Sequence, residues 1–125
     1  MDSKNQLNWE QNGPIFNFAI FDNENRLVGM VEANTNYEEV EGIKEGNENI
    51  SYVIYPFARG KGYAPKATGL MADFLKSKGI KRGVIRVNPE NRESLNVPLH
   101  VGFVEEEIIT LKNGEKSVVF IKNLN

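Results

Sequence analysis

The sequence holds no cysteine and a single histidine, His100, among its 125 residues. The missing thiols exclude a disulfide frame, a thiolate nucleophile and a cysteine-ligated metal, and one histidine argues against a histidine-based metal site. There is also no apolar run of about eighteen residues and no signal peptide, so a cytoplasmic location without membrane partners is expected. Charge of one sign is not in excess either. With 15 Lys and Arg against 17 Asp and Glu, the net charge of −2 gives no global pull towards nucleic acid. Internal repeats and low-complexity tracts are absent. What is present is an ordinary globular composition, 40% apolar and 26% charged, at a length that suits one domain over residues 1–125 with a real core.

The chain is organised around Ile50 to Gly79. Ile50–Tyr55 is rich in β-branched and aromatic residues and reads as a strand, which Pro56 ends because proline cannot donate to a ladder. Arg59-Gly60-Lys61-Gly62-Tyr63-Ala64 follows, glycine-rich and basic. Beyond it Ala67, Leu70, Met71, Phe74 and Leu75 recur at the spacing of an amphipathic helix's apolar stripe. Pro65 suits the first turn of that helix and Gly79 its C-terminal stop. Strand, glycine-rich turn and helix N-terminus together make an anion site. First-turn N–H groups lack intrahelical partners, the helix dipole adds about half a positive charge, and glycine leaves the backbone open to a phosphate. The physical expectation is a diphosphate cradle, with Arg59 and Lys61 to neutralise charge; a plain glycine-rich turn with solvated charges is the alternative. A P-loop is excluded, because Gly60-Lys61 is followed by Gly62 and no glycine stands at the required distance upstream. The dinucleotide fingerprint fails too, with Pro65 in the place of its third glycine.

Around this stretch the order is regular. Ile15–Phe21 alternates with apolar residues on both faces, so both are expected to be largely buried, and Asp22–Asn25 is turn chemistry leading to a return strand over Leu27–Ala33. Asn34–Asn49 is acidic and glycine-bearing and reads as an irregular connection, with room for a helical turn. Val84–Val87 is a short strand after the helix, and a unit of this length favours a parallel, right-handed crossover. Asn91 is a good N-cap for a helix through Leu95, which Pro98 is expected to kink or end. Gly102-Phe103 opens a strand over Val104–Leu111, and Asn113-Gly114 turns it back through Ser117–Ile121. The expected fold is mixed α/β, a mostly antiparallel sheet of two hairpins around one central β-α-β crossover.

Two motifs in register carry a resemblance. Arg59, Gly62 and Ala64 match an [RQ]-x-x-G-x-[GA] loop, and Asn88-Pro89-Glu90-Asn91-Arg92-Glu93-Ser94 with Gly102-Phe103 matches an N-x-N-x-x-S…GF segment. Over about Phe16 to Phe120 the chain resembles the GNAT superfamily of acyl-CoA N-acyltransferases from its second strand onward. It is most similar to the ribosomal-protein N-terminal alanine/serine acetyltransferase branch. The resemblance implies acetyl-CoA as co-substrate, with the pantetheine arm on the backbone of Val53 and Ile54 and the pyrophosphate on the amides of Arg59, Gly60, Lys61, Gly62, Tyr63 and Ala64. Asn91 would contact the thioester end, and Ser94 would protonate the leaving thiolate. Pro98 stands where many relatives carry a tyrosine acid. Amine attack needs a base, and Glu48, expected just before the strand, is the candidate; the plainer expectation for it is a solvated loop glutamate. The family's first strand and two helices have no counterpart in Met1–Pro14, a polar stretch with Trp9, so the fold is expected to be N-terminally shortened. A homodimer is expected to cover an exposed edge beside Ile15–Phe21.

Three functions stay open at this stage: an N-acetyltransferase acting on a primary amine of a small molecule or peptide N-terminus, a catalytically inactive CoA-binding sensor or partner subunit, and a general anion binder. Lys76, Lys78, Lys81 and Arg82 read as a solvated helix end rather than a nucleic-acid patch, lacking interleaved aromatics. His100 is expected to pack near the proline-interrupted helix, and Tyr52 and Tyr55 to serve the core as readily as a site.

Overall fold

The computed structural model describes residues 15–34 and 47–124. The N-terminal stretch with Trp9, and most of the acidic connection, lie outside the described residues. Strands β1 (Ile15–Phe21) and β2 (Leu27–Asn34) form an antiparallel hairpin. Its turn is closed by Asp22, whose Oδ1 accepts from the N–H of Glu24 and of Arg26 while Oδ2 holds the Arg26 guanidinium at 2.8 Å. Burial along β1 is one-sided, contrary to expectation. Phe16, Phe18 and Ile20 are buried, Ile15, Ala19 and Phe21 only half so, and Asn17 is exposed.

Strand β3 (Asn47–Ile54) pairs antiparallel with β2. It starts ahead of Ile50, taking Asn47, Glu48 and Asn49 into the sheet, so Glu48 is not in a solvated loop: it is 0% exposed. Beyond a single 3-10 turn at Pro56–Ala58 and the glycine-rich loop, α1 (Tyr63–Ser77) lays Ala67, Met71, Phe74 and Leu75 on the sheet. Phe74 sits edge-on between Phe16 and Phe18, ring centres 5.2 and 5.0 Å away. Leu70, placed in the apolar stripe by spacing, is 43% exposed. The helix stops as expected at Gly79 (φ 83°), with Gly79 N–H on Lys76 C=O and Ile80 N–H on Leu75 C=O.

Strand β4 (Arg82–Val87) runs parallel to β3, completing the crossover. Helix α2 (Arg92–His100) contains Pro98 without ending there. The proline lies in the last turn, where losing one N–H costs a single bond, and its own carbonyl accepts from the N–H of Val101 and Phe103 to close the helix. Strands β5 (Val104–Thr110) and β6 (Lys116–Asn123) form the second hairpin, and the six-stranded order is β1-β2-β3-β4-β6-β5. The expected topology, mostly antiparallel around one parallel crossover, is the one found. Register puts Phe16, Ala33 and Ile50 on one face, and Ile85 and Phe120 join them in the same core beneath α1 and α2. Among the described residues, no helix is long and apolar enough to cross a membrane.

Candidate active site

The central parallel contact is short. β3 and β4 pair only at Asn47–Arg82, Glu48–Gly83 and Asn49–Val84, after which the two strands diverge. The other edge of β3 stays bonded to β2 as far as Ile54. Tyr55 N–H donates to Val28 C=O at 2.9 Å, and since that pair exchanges bonds directly, the alternation assigns Val53 and Ser51 to β2. The N–H and C=O groups of Tyr52 and Ile54 therefore point into the gap. Of the two expected backbone contacts, Ile54 and not Val53 presents its polar groups there, and Tyr52 takes the second place. One gap-facing carbonyl is already used: Arg59 Nε donates to Ile54 C=O at 3.1 Å.

The gap opens into a cleft of about 850 Å³ running from Tyr52 past the glycine-rich loop to α2. Gly60 (φ 77°) and Gly62 (φ 84°) hold left-handed backbone that other residues resist, and a Cβ at either would project into open space, the space a ligand would use. Gly62 is also the N-cap of α1, with no side-chain cap. The N–H groups of Tyr63 and Ala64 are thus left without intrahelical partners at the positive end of the dipole, facing the cleft. Arg59, Gly60, Gly62, Tyr63, Ala64, Asn91 and Ser94 all border the cleft, as do Val53 and Ile54; Lys61 is exposed beside it and does not line it.

At the other end Asn91 caps α2, its Oδ1 accepting from Ser94 N–H at 3.3 Å, so only its amide NH₂ remains for a ligand. A smaller hollow of about 170 Å³ lies in the fork between β3 and β4, bordered by Tyr52, Asn91 and Ser94. The sequence left Tyr52 open between core and site, because an aromatic residue alternating with Val53 along a strand suits either. Its Oη is buried without a hydrogen-bond partner. Burial pushes the phenol above its ordinary range, partly opposed by hydrogen bonding with the Ser94 side chain, which lies close to Oη although no bond of full geometry joins them. His100 also faces the cleft, its Nδ1 3.1 Å from Asn96 C=O, rather than packing inside.

Glu48 is not brought to the cleft. It sits beyond Ile50 on the same face of β3, opposite Gly83, with neither carboxylate oxygen hydrogen-bonded. Desolvation pushes its carboxyl up to about 7. Of the four cations expected to be a solvated helix end, Lys78 lies over the Phe74 ring at 5.5 Å and Arg82 Nε donates to Asn123 at 3.2 Å.

A fork between parallel strands thus opens beside the uncapped N-terminus of α1. The Acetyltransferase (GNAT) domain family matches residues 1–104. The chain is a GNAT-family member. Solved structures agree in fold. A spermidine N-acetyltransferase from Vibrio cholerae superposes with a TM-score of 0.75 at 19% identity, over 96% of this chain and 70% of that one. The ribosomal-protein-S5-alanine acetyltransferase from Vibrio fischeri gives 0.74 at 23% identity, over 90% and 63%. A dodecameric structure of the V. cholerae spermidine enzyme gives 0.71 at 19%, over 90% and 67%. No curated protein matches. The mixed sheet with its forked centre is therefore the GNAT acyl-CoA N-acyltransferase fold, and this GNAT domain has the cradle, the fork and a polar helix cap in one continuous cleft.

Proposed function

We propose that this chain is an acetyl-CoA-dependent N-acetyltransferase acting on a primary amine of a small molecule or a peptide N-terminus, working as a cytoplasmic homodimer. The observation that carries the reading is the β3–β4 fork with the α1 cradle at its mouth. A diphosphate on the amides of Tyr63 and Ala64, with Arg59 beside it, leaves a pantetheine-length arm to run along Tyr52 and Ile54 and bring its thioester to the hollow beside Asn91 and Ser94.

The residues then divide the chemistry. The backbone N–H groups in the fork polarise the thioester carbonyl. Asn91 NH₂ holds the thioester end, and Ser94 Oγ–H supplies the departing sulfur. A neutral amine is required for attack; we assign its proton to Glu48, reached through water, because a carboxyl with a pKa of about 7 is divided between base and acid near neutrality. Ser94→Ala is expected to lower kcat by about 100-fold with little change in acetyl-CoA affinity. Exposed Met30 and Val53, paired across β2 and β3 on the face away from the helices, support the dimer.

The deciding experiment is consumption of acetyl-CoA with a panel of amines and peptides, beside thermal shifts with acetyl-CoA, CoA and ATP. Turnover with one acceptor class establishes the reading. A shift with CoA but no turnover would make the chain a CoA-binding domain, and an equal shift with ATP a general anion binder.

A further inference from the structure

Tyr52 offers a group that the scheme above leaves idle. Its Oη is buried, makes no hydrogen bond of full geometry among the described residues and has the Ser94 side chain beside it; both residues border the main cleft and the small hollow. A buried hydroxyl without a partner costs about 1–3 kcal/mol, so its retention calls for an explanation. The other groups at hand do not serve as proton donors to the hollow. Arg86 borders it but is a permanent cation, Glu93 and His100 lie along the cleft outside it, and Asn91 is engaged as a cap. A serine hydroxyl is a very weak acid, and it can give a proton to sulfur only if another replaces it. A phenol, ordinarily near pKa 10, comes closest to a thiol near 8.5.

We propose that Tyr52 is the proton source behind Ser94; the inference rests on the acetyl-transfer reading. As the new C–N bond forms and the C–S bond breaks with its electron pair on sulfur, Ser94 Oγ–H protonates the sulfur and takes the Tyr52 Oη proton in return. The tyrosinate recovers a proton from water in the open cleft, and the amine proton leaves by the base. Tyr52 is thus a positioning and supplying residue that acts through Ser94, without touching substrate.

Tyr52→Phe removes one oxygen and leaves the ring packing in place. It is expected to lower kcat about 10- to 100-fold with the acetyl-CoA KM changed by less than about 2-fold. Tm should change little, because the hydroxyl makes no hydrogen bond of full geometry in the resting protein; a merely structural hydroxyl would instead lower it. The Tyr52→Phe/Ser94→Ala double variant should be no slower than Ser94→Ala alone. A second readout needs no turnover: calorimetric titration of CoA, with acetyl-CoA as control, at about pH 7 and about pH 9.5, where the thiol ionises before the phenol. In the parent protein the affinity of CoA relative to acetyl-CoA should rise several-fold at the higher pH, as the bound thiolate receives the Ser94 hydrogen bond that Tyr52 backs, and Tyr52→Phe should lose that rise. Unchanged kcat in Tyr52→Phe, additive losses in the double variant, or an identical calorimetric rise would each overturn the relay while leaving acetyl transfer standing. Failure of the parent protein to bind acetyl-CoA would overturn the donor site itself and the relay with it.

Discussion

Glu48 owes its condition to its neighbours. It is drawn into the wall of the sheet by the strand it belongs to, facing a glycine across the parallel ladder, with no donor close enough to satisfy either oxygen. Its folded-state pKa, about 7, lies above its ordinary value of 4.5, so the folded protein holds an extra proton between the two. The resulting stability is fully present below about pH 4.5 and is lost as pH rises through about 7; above that the buried charge costs on the order of 3 kcal/mol. Glu48→Gln should therefore match the parent in Tm near pH 5 and exceed it by several degrees at pH 8, in melts followed by circular dichroism. If Glu48 is the base, the same variant also loses the rise of kcat through about pH 7. A parent protein whose Tm relative to Glu48→Gln is flat over this range would show the carboxyl to be solvated. The sequence could not reveal this burial. Asn47 and Asn49 have poor strand propensity and follow a glycine, and only the tertiary pairing of both β3 edges overrides them. Tyr52 stayed open between two roles, since nothing local separates a core aromatic from one whose hydroxyl reaches a cavity.

At the level of elements, the strand–loop–helix unit was legible almost whole, because each part follows a local rule. Proline after the strand, glycines at left-handed positions and a glycine stop are chemistry of single residues. Pro98 is tolerated inside α2 because the cost of a proline depends on how much helix follows it, and here only two residues do. The cradle yields a direct test. Gly62→Val would force a β-branched residue to φ 84° and place its side chain in the space over the first-turn amides. Acetyl-CoA binding by calorimetry should fall at least about 100-fold while the far-UV spectrum stays that of the parent; retained affinity would refute the cradle. Arg59→Ala should weaken binding less, by about 1–2 kcal/mol, and more at low salt, since its Nε is spent on Ile54 C=O.

For the whole molecule, two hairpins and a parallel crossover followed from the chain, because such connections leave few alternatives. What covers the sheet did not. The edge beside Ile15–Phe21, expected to be bare, has Asn17, Ala19 and Phe21 each partnered. The remaining reason for association is the apolar surface at Met30 and Val53, 45% and 58% exposed. Light scattering at micromolar concentration should return twice the 14.1 kDa chain mass. A monomer would remove the dimer from the proposal, and a Met30→Glu variant that stays dimeric would move the interface elsewhere.

The brevity of the β3–β4 contact has a mechanical consequence. Three residue pairs join one half of the sheet, β1 to β3, to the other, β4 to β6. The molecule has a parting line, and an arm bonded to both lips would act as mortar. In hydrogen exchange the amides of Tyr52 and Ile54 should be quick while those of Ser51 and Val53 are slow, an every-other-residue pattern along one strand. Acetyl-CoA should erase that pattern, and the binding site would then be read as the place where a sheet built in two pieces becomes one.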